Sequence, residues 1–427
     1  MQRKLIVSIF ISLFSFVFSA NGQKLINSPY SRFNIGTLEP VGSFRNLGMG
    51  GIGTALRDNN SISYSNPASY SSLDTNSFVF DFGIDYGKSI FSDGVSKYSS
   101  DDFNFNHLIL GFPLAKGWGV ALGIIPISNG YYKMSEEVLT DDPDYNPIVG
   151  EYTSYHSGEG GYSNFFLGSG ININKNFSAG VNMTILFGQV KRVYQINFAD
   201  IYNVYHNSAV ENLRLGGINF DYGLQYTTSL KNDYFFNAGA SLSSSKYYRS
   251  QYDQISLKST VFSSLDTISY VADDSNRAFI PGTFRVGISF GKKNKFTTGL
   301  DFVTTNWSGS KIPGMDGYAA NTKSLLFGAE LIPDKYSNYS LLKRLEYRIG
   351  GHIDDNYLII QGEQVKEIGA SIGIGLPLRR SLSKANLYFD YTRKTGPTLS
   401  NPYSANCFTM GISLNLYDFW FIQRKYN

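Results

Sequence analysis

Gly48-Met49-Gly50-Gly51-Ile52-Gly53 fits the G-x-G-x-x-G template in which loop amides cradle a dinucleotide pyrophosphate. That chemistry needs a buried strand ahead of the glycines and a helix behind them. Pro40–Leu47 has too few consecutive apolar residues for such a strand, and Asp58–Pro67 is dense in Asn, Ser and Pro, which break helices. The glycines therefore serve something other than a nucleotide. Gly287-Ile-Ser289-Phe-Gly291 and Gly369-Ala-Ser371-Ile-Gly373 match the G-x-S-x-G nucleophile elbow, which sits on a sharp strand-to-helix turn. Both copies lie instead inside runs of alternating residues, with Gly and Ser on one face.

The remaining candidates are weaker. His107, His156, His206 and His352 have no metal-ligand spacing. Asp142, Asp144 and Asn146 resemble the opening of a calcium loop, but Pro147 stands where the loop needs Gly and Thr153 where it needs Glu. No catalytic residues, metal site or cofactor are assigned, and the chain reads as a non-enzyme. The formal charge of +3 gives no reason to invoke nucleic acid.

The elements that must position these residues are strands. Residues 1–22 read as a cleaved signal peptide: Arg3 and Lys4, the apolar run Leu5–Phe18, then small residues up to Gly22. No later run is long and apolar enough for a membrane-spanning helix. Cys407 is the lone cysteine, so no internal disulfide framework exists, while the 31 Tyr, 32 Phe and 43 Gly suit a β-barrel or a large secreted sandwich. Period-two alternation decides for the barrel once the connections are considered. Phe78, Phe80, Phe82, Ile84 and Tyr86 share one face, with Val79, Asp81, Gly83 and Asp85 on the other, and similar runs recur to the C-terminus. About fourteen such strands, near 77–87, 103–112, 117–127, 162–173, 177–190, 212–228, 233–245, 283–291, 295–306, 322–332, 343–353, 364–376, 384–393 and 407–420, alternate tight turns with long loops. This predicts an all-β fold, a transmembrane antiparallel barrel (residues 77–427) in the outer membrane of a Gram-negative cell. Residues 23–76 lack the alternation and are too polar to span, so they hang in the periplasm or fold into the lumen, which the turning glycines suit.

Arg45-Asn-Leu-Gly48-Met-Gly50-Gly51, then Thr54 to Asn59, then Asn66-Pro67-Ala68, then the first strand, resembles the N-terminal signature of the long-chain fatty-acid transporter family, as a divergent branch. The resemblance implies a fourteen-stranded barrel whose N-terminal hatch plugs the lumen, with Gly48, Gly50, Gly51, Gly53, Asn66, Pro67 and Ala68 as hatch motif. Asn66-Pro67-Ala68 would fix the exit into the first strand, since a residue before proline is held extended. On a plug in a lumen, Arg45 and Arg57 are expected to pair with the lumen-facing Asp81 and Asp85. The family's third strand is kinked, opening the wall sideways. Pro126, with Gly123, is the candidate kink here; the plainer reading ends strand three at Pro126. Phe262, Leu265, Ile268, Tyr270, Phe279 and Ile280 in the longest loop form a candidate ligand entrance. The family implies passive uptake of hydrophobic molecules. The extension Asn27–Gly36 precedes the usual pattern, and Ser69-Tyr70 replaces the usual Gly-Leu, so an accessory subunit of an outer-membrane secretion or assembly complex, or a barrel without transport, stays open. Expected partners are outer-membrane lipids, a hydrophobic ligand, and proteins of such a complex.

Overall fold

The computed structural model describes residues 28–92, 94, 96–143, 145–199, 205–260, 263–273, 277–313, 319–360, 362–378, 382–396 and 404–419. The signal peptide reading lies outside them. Fourteen strands close a single antiparallel barrel. They are β1 (Ser77–Ser92), β2 (Lys97–Ala115), β3 (Trp118–Asn129), β4 (Tyr152–Asn172), β5 (Phe177–Phe198), β6 (His206–Ser229), β7 (Tyr234–Ser243), β8 (Thr283–Lys292), β9 (Phe296–Thr305), β10 (Thr322–Leu331), β11 (Glu346–Ile360), β12 (Glu363–Pro377), β13 (Lys384–Thr395) and β14 (Ser404–Phe419). The seam pairs β14 with β1 from Phe419↔Ser77 to Ser404↔Ser92. Both barrel ends therefore lie on the tight-turn side. Closure gives the strands neighbours on both sides, except that β2 above Leu108 has no β3 partner, so the ladder satisfies most backbone groups that lipid cannot.

The alternation resolves as lipid outside and lumen inside. On β12, Ile368 and Ile372 are 56% and 55% exposed, while Ser371 between them is buried. On β1, Val79 and Asp81 face inward, with Phe78 and Phe80 outward. Aromatic pairs gather at the tight-turn end, as at Phe177–Tyr226 and Tyr234–Phe290, where an interfacial girdle belongs.

The wall rises past the spanning length on the long-loop side. β5 and β6 run 22 and 24 residues. Tyr132–Val138 extends β3 along β4, and Lys246–Thr260 continues β7 along the outer half of β6. Ser263–Asp273 folds back on Lys246–Thr260 as an outer hairpin.

The segment ahead of β1 lies inside the barrel as two layers. Residues 28–41 cross the outer half. Their Tyr30 and Ile35 join a core with Tyr162, Leu213, Trp307 and Tyr357. Residues 42–76 form the floor, with Phe44, Met49, Ile52, Ala68 and Tyr70 almost wholly buried. The wall is thinned to receive it. A Cβ at Gly328 or Gly350 would overlap the Met49 backbone, at Gly239 the Thr54 carbonyl, at Gly170 and Gly180 that of Pro67, and at Gly119 that of Tyr70. The small luminal residues are thus the places where hatch backbone lies flush on the wall.

Candidate functional site: the plugged lumen

Gly48 to Gly53 follows a single helical turn, Phe44–Leu47, not a strand. Gly50 and Gly51 take φ of +69° and +88°, and Gly50 packs under the Phe327 and Gly351 carbonyls, where no Cβ fits. The loop amides do bind an anion, but it belongs to the barrel. Asp301 Oδ2 accepts from the amides of Gly53 and Thr54, each at 2.8 Å, and Gly50 N donates to Ser371 Oγ at 3.0 Å. A carboxylate in that position repels phosphate, which disposes of the nucleotide template. The two elbow serines have the same employment: Ser371 holds Gly50, and Ser289 donates to the Ala55 carbonyl at 3.0 Å.

Arg45 and Arg57 do not meet Asp81 or Asp85. Arg45 forks onto Glu330 of β10, with Nε–Oε2 3.1 Å and Nη2–Oε1 2.9 Å, and its third nitrogen pairs with Asp58. Glu330 is shared with Arg348 of β11, Nε–Oε2 2.7 Å. Arg348 continues to Glu346, and Lys384 of β13 closes on Glu346 at 2.6 Å. Three cations and three carboxylates thus form one neutral, nearly dry network welding the hatch to β10–β13. Burial alone would raise the Asp58 pKa, but Arg45 and then Lys384 outweigh it and hold the carboxyl below its ordinary value. Arg57 binds neutral oxygens, chiefly Ser178 Oγ (2.9 Å) and Asn172 Oδ1 (2.7 Å), and burial pulls its pKa down to about 10. Asp81 turns to the buried His107 at 3.2 Å and to Asn415. The expected pairing fails because the hatch arginines emerge toward β10 and β4–β6, while Asp81 lies on β1. Alternation gives a residue's face but not its azimuth around the barrel.

Asn66 is extended, at φ −145° and ψ 107°, but Asn66-Pro67-Ala68 does not lead straight into β1. Asn66 caps the 3₁₀ turn Pro67–Ser72, and its amide donates to the carbonyls of Thr54, Leu224 and Ala240. The motif pins the floor to β6 and β7. The turn into β1 is made later, at Asn76, with φ +61°.

Above the floor is a chamber of about 540 Å³. Its lining sets Asp85, Asp102, Asp221, Asp354, Glu367 and Asp390 against Arg285 and Lys394, among a larger apolar share that includes Ile35, Leu38, Ile127, Phe166, Leu215 and Trp307. Residues 28–38 roof it. Tyr357 donates to the Gly36 carbonyl and Arg192 to that of Asn34. Glu39 hangs from the roof, its pKa pushed up to about 8 by burial first and then by Asp85 and Asp102.

Pro126 is inside β3, not in a loop, and faces Ser163 of β4 beside a register shift before Ser128. The reading that ends strand three there is corrected. The ladder to β2 stops at Leu108↔Ile124, and in its place the roof strand Thr37–Leu38 pairs with Asn129 and Ser128. Glu39 N also donates to Ile127 O at 2.9 Å. Proline's missing N–H falls where one neighbour strand has given way to another. Gly123 still pairs with Ile109 and Phe166.

The proposed entrance residues do not gather. Phe262 and the Leu265 side chain lie outside the described structure. Ile268 and Tyr270, 57% and 61% exposed, are on the outer hairpin. Phe279 packs against Tyr247 with the rings tilted and their centroids 4.9 Å apart, and only Ile280 of the described four borders the chamber. Of the calcium-like loop, Asp144 lies outside the described residues, and Asn146 Oδ1 caps the Ile148 amide. Glu330 and Asp301 of the wall's half of the hatch contacts escape the sequence reading, which sees Ser289 and Ser371 only as elbow serines; polar residues on an otherwise small luminal face are their signal.

Solved structures share this architecture. A Pseudomonas aeruginosa FadL homologue superposes with TM-score 0.58 at 12% identity, covering 90% of this chain and 99% of its own. The P. putida toluene transporter TodX gives TM-score 0.62 at 12% identity over 90% and 100%. The CymD monoaromatic hydrocarbon channel gives 0.54 at 13% over 90% and 99%. No curated protein matches. The fold is thus that of the FadL-type barrels, while the family model described as BamG matches residues 1–427, from end to end. The chain belongs to the BamG family.

Proposed function

We propose that this protein is a sealed outer-membrane barrel acting as an accessory subunit of a protein secretion or assembly complex, rather than a pore or an enzyme. The observation that carries this reading is the lumen. A floor welded by buried ion pairs and a roof tied to Arg192 and Tyr357 close the lumen at two levels, around a chamber whose apolar walls carry several carboxylates. A cargo crossing the lumen would have to displace the floor and the roof, and would desolvate the chamber's carboxylates on the way. Membership of a family described as BamG points the same way. The hatch motif then acts as a permanent plug. The long outer walls and the hairpin at 246–273 offer surface to protein partners.

Uptake of a hydrophobic ligand is the second reading. The break in the β2–β3 ladder after Ile124 favours it, with Gly123 and Pro126 beside the gap and Ile280 on the chamber. Purification in mild detergent, with identification of bound proteins and lipids, tests the two readings against each other. A stoichiometric outer-membrane protein partner is expected, together with proteoliposome uptake of oleate and toluene no faster than in empty vesicles. Accelerated uptake without a partner would overturn the proposal.

A further inference from the structure

The tight-turn rim repeats one short pattern. Leu114, Lys116 and Trp118 end the first hairpin; Ile173, Lys175 and Phe177 the second; Leu230, Lys231 and Tyr234 the third. In each, an exposed aliphatic residue is followed within two positions by an exposed lysine, then by an aromatic of the girdle. The aliphatic members are 53%, 65% and 49% exposed. Aromatics of this kind sit at headgroup level, and lysines beside them reach the phosphate layer.

The turn between β10 and β11 enlarges the pattern. It holds the one-turn helix Leu341–Arg344 after a loop in which Tyr339 is fully exposed. Leu341 and Leu342 are 47% and 67% exposed, and Lys343 is exposed beside them. The hydroxyl of Tyr347, a lipid-facing residue of β11, donates to the Leu342 carbonyl at 3.0 Å. That bond sets the helix on the lipid flank of the rim, not beneath the lumen. Arg344 Nε is buried there without a hydrogen-bond partner.

We infer that this rim is a binding surface for anionic phospholipid headgroups of the periplasm-facing leaflet, with the 333–345 turn as its principal contact. Leu341, Leu342 and Tyr339 enter the boundary between headgroups and acyl chains. Lys343 and the exposed part of the Arg344 guanidinium take the phosphates. Charge complementarity and level select lipid over a soluble acidic partner, since the helix Leu341–Arg344 is tied to the lipid-facing Tyr347.

The test uses the full mature chain in a neutral detergent, with phosphatidylglycerol and phosphatidylcholine titrated in and bound lipid counted by native mass spectrometry. Wild type should retain phosphatidylglycerol about fivefold more tightly, a preference that shrinks in high salt. K343E/R344E should abolish the preference, K343Q/R344Q should reduce it, and K191E at the opposite end should leave it unchanged. Heat-modifiable migration on gels verifies that each variant is folded. Inorganic phosphate at 10 mM, on the order of a strong free-anion competitor, should not displace the lipid. Equal retention of the two lipids by wild type, or displacement by phosphate alone, would overturn the inference. So would an undiminished preference in folded K343E/R344E.

Discussion

Replacing Arg45 with alanine should unlatch the floor. The guanidinium is only 12% exposed and makes three charged contacts, two to Glu330 and one to Asp58. Without it, Glu330 keeps Arg348 at 2.7 Å, whereas Asp58 keeps only its own turn and the more distant Lys384. Removing one partner of a buried pair costs about 3–5 kcal/mol, and the surviving Arg348 contact puts this case near ~3 kcal/mol. Since about 1.4 kcal/mol is tenfold, the undocked floor should become roughly a hundredfold more populated. R45K should fall between, because an ammonium cannot fork onto Glu330 while reaching Asp58. Single-channel recording in planar bilayers reads the undocked state as conducting bursts, and limited proteolysis of residues 42–76 reads the same population independently. The pH dependence has a definite sign. Asp58 is held below its unfolded pKa, so its contribution is complete above about pH 4 and disappears as pH falls through the lower folded value. R45A should erase that acid sensitivity. Unchanged burst frequency and unchanged cleavage in a folded R45A barrel would refute the claim that this network holds the floor.

G350V places a branched side chain where the Met49–Gly50 backbone lies and should cost ~3 kcal/mol of docking, read as proteolysis of the floor with barrel heat-modifiability retained. D301N keeps the shape but loses the charge that accepts from Gly53 and Thr54, and should cost ~1–2 kcal/mol in the same assay. Glu39, with its pKa raised to about 8, holds a proton that the released roof gives up near pH 4.5, so roof stability should fall as pH rises across that interval. Hydrogen exchange of residues 28–41 between pH 5 and 9 measures this, and E39Q should flatten it. Deleting residues 45–65 should raise single-channel conductance; an unaltered value would place the obstruction in the roof alone.

The strands were legible because each carries its own evidence. Nine to eleven alternating residues, such as Phe78 to Tyr86 or Ile368 to Leu376, state both the element and its lipid face. The upper halves of β4, β5 and β6 were harder to see. Above the membrane the outer face meets water, so residues such as Gln189, Lys191 and Gln195 dilute the pattern. The hatch was recognised through its glycines and Asn66-Pro67-Ala68, but not its partners. Whether Arg45 meets Asp81 or Glu330 depends on where a loop of thirty-odd residues turns inside a closed wall, and nothing local encodes it. Ser289 and Ser371 match the nucleophile-elbow template because a run of glycine and serine is equally what a wall needs where another backbone must pass.

That fit between wall and floor constrains how the molecule is made. Phe44 lies against Gly83 on β1 and Gly411 on β14, where a Cβ on either glycine would touch its ring, so one side chain straddles the seam joining the first strand to the last. A plug met flush by glycines from β3 round to β12 leaves no clearance for threading into a finished cylinder. The N-terminal segment emerges first during export, and the sheet must curl round it, with Phe44 as the peg on which the final seam finds its register. Biogenesis of this barrel is therefore wrapping around a mandrel that is never withdrawn.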